Sequence, residues 1–67
     1  MTDTEIAFAR TFSGLYGEQV LSYLHHITTE RVLGPNASES ELRFLEAQRF
    51  LVRQIENMIS RGRGDKK

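Results

Sequence analysis

The order of apolar and polar positions along the chain predicts helices and no strands. Alternation with a period of two residues, which is typical of half-buried strands, is absent. The clearest interruption is Gly34-Pro35-Asn36, a combination that ends helices and forms turns. We therefore predict an all-α protein, a small helical hairpin or three-helix arrangement, with one long C-terminal helix after this break.

The segment after the break is predicted to form the long helix. Ser38 and Glu41 match a capping box, in which each side chain accepts a hydrogen bond from the backbone N–H of the other residue. The helix is expected to run to residue 60 or 61, before two glycines. Its core-facing side is a stripe of seven apolar residues that covers about 140° of arc: Phe44, Leu45, Leu51, Val52, Ile55, Met58 and Ile59.

The segment before the break is predicted to form two short helices or one bent helix. Thr2 and Glu5 match a second capping box. Gly14 and Gly17 predict a turn or sharp bend, because glycine in a helix interior costs up to ~1 kcal/mol relative to alanine. One apolar side is expected on each part: Phe8, Ala9, Phe12, Leu15 and Tyr16 before the bend, and Val20, Leu21, Leu24 and Ile27 in a second helix at about residues 18–29.

Length and composition limit how this fold is stabilised. The 67 residues have room for one domain, which we assign to residues 1–60. Cysteine is absent, so disulfides and thiolate metal sites are excluded. A domain this small buries only about 60% of the surface of its unfolded chain, and oligomerisation or a partner is a frequent compensation. We expect no membrane association, because no apolar run approaches ~20 residues and the acidic N-terminus lacks signal-peptide features.

Charge is distributed unevenly, although the net charge is zero. Residues 1–60 carry eight acidic residues and five arginines, whereas residues 61–67 carry four basic residues and one acidic residue. This predicted tail can contact phosphates with weak, salt-sensitive affinity, or it is only a disordered, solubilising terminus, which we favour. The candidate phosphate contacts are Arg61, Arg63, Lys66 and Lys67.

Candidate catalytic and metal-binding chemistry is sparse. His25 and His26 are adjacent and therefore point about 100° apart on a helix, which does not suit joint binding of one metal ion. We expect one of them to pack beside Leu21 and the other to face solvent. The phosphate-loop, dinucleotide and zinc-protease motifs are absent, and no serine has an evident activating base. We predict a protein that is not an enzyme and has no metal or cofactor.

Two residues of the long helix depart from its amphipathic pattern. Gln48 lies within the apolar stripe, where it either contacts the backbone at the glycine bend or fixes the register of a self-association seam. Phe50 points about 160° away from Val52, onto a face that carries Arg43 and Arg53. Single exposed aromatics are common, but aromatic residues and arginine also dominate binding hot spots. Phe50, Arg43, Arg53 and Gln48 are therefore our candidate interaction residues.

The arrangement of these positions resembles a known family. The resemblance rests on Phe8-x3-Phe12-x-x-Leu15-x-Gly17-x-x-Val20-Leu21-x-x-Leu24, then Pro35, then Phe44-x-Glu46-x-Gln48-Arg49-x-Leu51-Val52-x-x-Ile55. It is similar to short helical proteins encoded by tailed bacteriophages and prophages, often among virion and DNA-packaging genes. The similarity covers about residues 7–60. It implies an accessory or assembly role without catalytic residues, and a polar cluster of Glu46, Gln48 and Arg49 that either holds the fold or meets a partner.

Two functions remain open from the sequence. The first is a phage- or prophage-derived protein-interaction module, such as a virion accessory or assembly protein, that binds a protein partner or itself. The alternative is a weak nucleic-acid-binding protein that uses the basic tail, although the acidic body would repel phosphate. In either case we expect the protein in the cytoplasm of the bacterial host, with association with the virion as a further expectation of the first.

Overall fold

The computed structural model describes residues 1–64, which form three α-helices and no strand. Helix α1 spans Asp3–Thr11, α2 spans Gly14–Thr28 and α3 spans Glu39–Gly62. The predicted all-α class and the long C-terminal helix are confirmed. Helices α1 and α2 are separate, not one bent helix, and the predicted break at Gly34-Pro35 lies in the irregular segment between α2 and α3.

Both predicted capping boxes are present. The Thr2 hydroxyl accepts a hydrogen bond from the Glu5 backbone N–H at 3.1 Å, and the Glu5 carboxylate accepts one from the Thr2 backbone N–H at 2.8 Å. Ser38 and Glu41 form the same pair of bonds at 3.1 and 3.2 Å. Each box satisfies N–H groups that have no partner within the helix, and so fixes where α1 and α3 begin.

The link between α1 and α2 is shorter than the sequence suggested. It consists of Phe12 and Ser13, and α2 begins at Gly14, whose φ of +79° lies in the left-handed region that favours glycine. Gly17 does not interrupt α2, so the predicted start near residue 18 is wrong. A Cβ atom on Gly17 would lie 2.6 Å from the carbonyl carbon of Phe12. Glycine is therefore needed here because the end of α1 lies against the first turn of α2.

The core lies along one side of α3 and is small. Leu45, Val52 and Ile59, spaced seven residues apart, are 4%, 4% and 2% exposed. Ala9 of α1 is the fourth buried apolar residue of the described chain. Helix α1 approaches α3 closely, because a Cβ atom on Gly62 would lie 2.0 Å from the Glu5 carbonyl oxygen. The α1–α3 contact is the more extensive of the two helix contacts with α3.

Part of the predicted apolar stripe on α3 lies outside this core. Phe44 and Leu51 are 66% and 62% exposed, whereas Ile55 and Met58 are half-buried. The nine residues of α1 span about 14 Å, against about 36 Å for the 24 residues of α3. Phe44 and Leu51 each precede a buried residue, Leu45 or Val52, by one position and so point about 100° away from it, at the edge of the stripe that the short helices do not cover.

Helix α2 runs antiparallel to α3. His25 of α2 contacts Glu56, and Thr28, one turn later in α2, is reached by Arg49, which lies two turns earlier in α3. Contact between α2 and α3 is sparser than contact between α1 and α3. Much of the apolar surface of α2 is left exposed as a consequence.

The molecule is elongated and has a large surface for its size. Its Cα radius of gyration is 14.0 Å, compared with about 11 Å for a compact domain of this length. Its accessible surface is 5259 Å², about 950 Å² more than the ~4,300 Å² that the usual scaling gives for a protein of this mass. The elongation and the small core are two aspects of the same arrangement, in which short helices cover only part of a long one.

Candidate interaction surfaces

The polar cluster around Arg49 holds the fold together. The Arg49 Nε donates to the carbonyl oxygen of Thr28 at 2.9 Å, and one terminal nitrogen donates to the carbonyl oxygen of Arg31 at 2.5 Å. The other terminal nitrogen lies 2.6 Å from a carboxylate oxygen of Glu46. Carbonyl groups at a helix C-terminus have no partner within the helix and carry partial negative charge. The Arg49 side chain therefore ties the end of α2, and the residues just beyond it, to the middle of α3.

Gln48 lies on the core-facing side of α3, as predicted, but does not make the first of the two contacts considered for it. Its side chain is half-buried, and no hydrogen bond joins it to another residue of 1–64. No fully buried side-chain nitrogen or oxygen in this part of the chain lacks a partner, so the Gln48 amide reaches solvent. The predicted contact to the backbone at the glycine bend is therefore wrong. The alternative, a role in self-association, stays a prediction.

Phe50 lies on the outer side of α3, as predicted. It is 58% exposed, and with Arg53, Gln54 and Asn57 it lines a shallow depression of about 230 Å³. We call these four residues the Phe50 face. Arg43 lies nearly two turns before Phe50 and pairs with Glu39 at 2.8 Å, both side chains being exposed, and it does not line the depression.

Of the four candidate interaction residues, the structure therefore brings together only two. Phe50 and Arg53 share the depression, whereas Arg43 stands apart from it and Gln48 lies on the core-facing side of α3. The sequence signal for the shared pair was the helical spacing of three residues, which places two side chains on the same face.

The two histidines contact one carboxylate just beyond the end of α2 and one on α3. His25 is half-buried, with Nδ1 3.1 Å from a Glu56 oxygen and Nε2 3.7 Å from a Glu30 oxygen. His26 is mostly exposed, and its Nδ1 lies 3.2 Å from Glu30. One histidine thus lies inward near Leu21 and the other faces solvent, as expected. The His26–Glu30 pair has i, i+4 spacing and was readable from the sequence, whereas His25–Glu56 depends on the packing of two distant segments.

A solvent-open cleft of about 310 Å³ runs between α2 and α3 beside His25. It is lined by Glu18, Leu21, Ser22, His25, Glu56 and Arg63. Within residues 1–64, no group of three or more histidine, aspartate or glutamate side chains is arranged to hold a metal ion. None of the three helices is long and apolar enough to cross a membrane.

The basic end of the chain is only partly described. Arg61 belongs to α3 and lies 4.0 Å from the Glu5 carboxylate, so the predicted tail begins later than residue 61. The hydrogen bond from the Thr2 backbone N–H chiefly lowers the pKa of Glu5 below its ordinary value, and the Arg61 charge contributes less. Arg63 lines the cleft between α2 and α3. The other two candidate phosphate contacts, Lys66 and Lys67, lie outside the described residues.

The largest apolar surface that the sequence analysis did not predict lies on α2. Val20 and Ile27, predicted to face the core with Leu21 and Leu24, are 52% and 37% exposed. Tyr16 and Tyr23 are 79% and 62% exposed. These four, Tyr16, Val20, Tyr23 and Ile27, lie within about 60° of arc on one side of the helix, and we call them the α2 outer face.

The physical reason for this error is the width of the apolar arc of α2. A single neighbouring helix covers one stripe of side chains. On α2 this stripe contains Leu21, His25 and Thr28. His25 contacts Glu56 of α3, and the Thr28 carbonyl oxygen accepts a hydrogen bond from Arg49 of α3. Leu15 is also exposed, at 68%, because α1 ends before it and α2 begins in a new register. An apolar arc wider than one neighbouring helix can cover was the signal that could have revealed the α2 outer face.

Fold and surfaces together define a small all-α protein in which two short helices are arranged on one long helix. A family model for Bbp19-like phage proteins matches residues 8–65, and the chain belongs to that family. This confirms the resemblance to small helical phage proteins. Neither the curated proteins nor the solved structures include a significant match to the chain.

Proposed function

We propose that this phage protein is a non-catalytic interaction module that takes part in particle assembly by binding other proteins. The observation that carries the proposal is the distribution of apolar side chains. Eleven large apolar side chains of residues 1–64 are exposed, whereas only four apolar residues are buried. Contiguous exposed apolar surface is typical of binding sites, and a small domain gains stability when it buries such surface against a partner.

The Phe50 face is the proposed contact with a different protein. Phe50 offers an aromatic ring and Arg53 a guanidinium group, and both residues line the same shallow depression. Aromatic and arginine side chains are enriched at binding hot spots. The surface that fits is one with an apolar pocket for the ring and a carboxylate for the arginine.

Nucleic-acid binding is the weaker alternative. Of the basic residues proposed to touch phosphate, Arg61 lies beside the Glu5 carboxylate, which offsets part of its charge. Residues 1–60 carry three more acidic than basic residues, and such a body repels phosphate. We accordingly place the protein in the host cytoplasm during assembly and then on the particle, bound through protein contacts.

The proposal can be tested by site-specific photo-crosslinking. A photoreactive phenylalanine analogue at position 50 is introduced into the full chain, which is produced in the bacterial host while the phage that encodes it replicates. Irradiation is expected to give one main adduct, with a phage structural protein identified by mass spectrometry. The matched control has the same analogue at Thr4, an exposed position on α1, and is expected to give no such adduct.

Other outcomes have distinct meanings. No adduct above the Thr4 control, or adducts only with host proteins, would contradict an assembly role for the Phe50 face. An adduct of position 50 with nucleic acid instead of a phage protein would contradict the proposal and favour nucleic-acid binding.

A further inference from the structure

The α2 outer face has no covering element within the described chain and carries no charge. Its four residues are 79%, 52%, 62% and 37% exposed in sequence order. Glu18 is the only aspartate, glutamate, lysine or arginine in α2, and it lines the cleft toward α3 on another side of the helix. A helix face of this kind is suited to pack against another uncharged apolar face.

We propose that the α2 outer face binds a second copy of this chain, with the two α2 helices antiparallel about a two-fold axis that is level with the midpoint between Val20 and Tyr23. The inference deepens the proposed function, on which it rests, by naming one partner and the surface that it uses. The Phe50 face, on the outer side of α3, is left free for a different protein.

The spacing of the four residues on the α2 outer face is complementary to that of the same face in a second, antiparallel copy. Tyr16, Val20, Tyr23 and Ile27 follow one another at intervals of four, three and four residues, which is the spacing of an apolar seam between helices. This series is symmetric about its centre. In an antiparallel pair, Tyr16 therefore faces Ile27 of the second copy, and Val20 faces Tyr23. Each bulky ring lies opposite a smaller aliphatic side chain, and every contact occurs twice, as two-fold symmetry requires.

The shape of the molecule also favours a dimer. The accessible surface of the whole molecule exceeds the expectation for a compact protein of this mass by about 950 Å², and the α2 outer face is part of this exposed surface. Only four apolar residues of 1–64 are buried, so the fold gains from covering an apolar face, and the uncharged face brings no like charges together.

Sedimentation equilibrium of the purified full chain tests this inference. The wild-type chain is expected to form a discrete dimer over an about hundredfold concentration range, at low and high salt, because the contact is apolar. Tyr23→Glu places a carboxylate in the seam and is expected to raise the dimer dissociation constant at least ~100-fold, since an unpaired buried charge is costly. Val20→Glu is a second variant with the same expected result.

Phe50→Glu is the matched control. It makes the same kind of change at a residue with comparable exposure, 58% against 62% for Tyr23, and is expected to dimerise like wild type. Circular dichroism should show similar helix content for Tyr23→Glu and wild type, because Tyr23 lies outside the core. If Tyr23→Glu loses its helices, Val20→Glu and the crosslinks described next decide the outcome.

The orientation is tested with single cysteines, since the chain has none of its own. A mixture of the Tyr16→Cys and Ile27→Cys chains is expected to crosslink between positions 16 and 27 with a short bismaleimide. Tyr16→Cys alone is expected to crosslink poorly. Efficient linkage between the two copies of position 16 would indicate a parallel pair and overturn the proposed geometry.

Two further results would overturn the inference. One is a wild-type monomer at all concentrations, and the other is a dimer that is lost in Phe50→Glu but not in Tyr23→Glu. Neither result removes the proposed function if the photo-crosslink from position 50 to a phage protein is observed. A dimer without that crosslink would instead support this inference alone.

Discussion

The two short helices contact α3 in different ways. Helix α1 approaches it closely enough that Gly62 has no room for a Cβ atom beside the Glu5 backbone. Helix α2 is connected mainly through long polar side chains, Arg49 to the carbonyl groups at its end and His25 to Glu56. The first contact is made by backbone and small residues, and the second by hydrogen-bonded side chains.

This difference explains where the apolar surface is exposed. Close backbone contact buries the facing side of α1, where Ala9 is 9% exposed. Side-chain bridges hold α2 in place while contacting only one stripe of it. The α2 outer face is left to solvent, and this is the part of the molecule where we place the second copy. The comparison predicts that substitutions act most strongly where backbone meets backbone.

The largest effect is expected for Gly62→Ala. The new Cβ atom would lie 2.0 Å from the Glu5 carbonyl oxygen and 2.7 Å from its carbon, so α1 must shift away from α3. We expect a loss of about 3 kcal/mol or more in the free energy of unfolding, measured by urea denaturation, although alanine is the better helix former. Gly34→Ala is the control, because nothing lies within 4 Å of its Cβ position. Equal stability of the two variants would refute the close contact.

The next effect is expected for Arg49→Met. It keeps most of the apolar stem but removes the Arg49 hydrogen bonds to the carbonyl groups of Thr28 and Arg31, of which Thr28 still accepts one from the Arg31 backbone N–H. We expect a loss of about 2 kcal/mol in the free energy of unfolding. Arg49→Lys should recover little, because one ammonium group does not reproduce the planar fork of donors. Arg43→Ala, which removes an exposed pair with Glu39, should change stability by under ~0.5 kcal/mol.

A smaller effect is expected for Glu56→Gln. The His25–Glu56 contact is 3.1 Å long, and both side chains are more than a third exposed, so solvent weakens their attraction. The expected loss in the free energy of unfolding is under ~1 kcal/mol, measured by thermal denaturation near neutral pH. A loss as large as that of Arg49→Met would show that the histidine, rather than the arginine, is the main connection of α2 to α3.

The smallest effect is the loss of the stability that Glu5 contributes when the pH becomes acidic. Its pKa is lowered from the ordinary value of 4.5, chiefly by the Thr2 backbone N–H. Because the folded pKa is the lower one, the stabilisation is complete above about pH 4.5 and is lost as pH falls through the folded value. A Glu5→Gln variant should therefore lose less stability than wild type between neutral and acidic pH. Carboxyl titration by NMR checks the direction, and an unshifted Glu5 would contradict it.

Much of the fold followed from signals that act within a few residues. The capping boxes at Thr2 and Ser38 and the break at Gly34-Pro35 were visible because a side chain bonds its own helix end and proline cannot continue a helix. Helical spacing placed Leu45, Val52 and Ile59, the buried residues of α3, within its predicted apolar stripe for the same local reason. The outward direction of Phe50 also followed from helical geometry alone.

Tertiary structure decided what those positions do. Sequence could not distinguish a glycine that ends a helix from Gly17 and Gly62, which admit a neighbouring backbone. It could not tell whether Arg49 binds the end of α2 or a partner. Nor could it show that Tyr23 is exposed while an apolar residue next to it, such as Leu24, is half-buried. Periodicity identifies apolar faces, but the lengths and placement of the other helices determine which of those faces are covered.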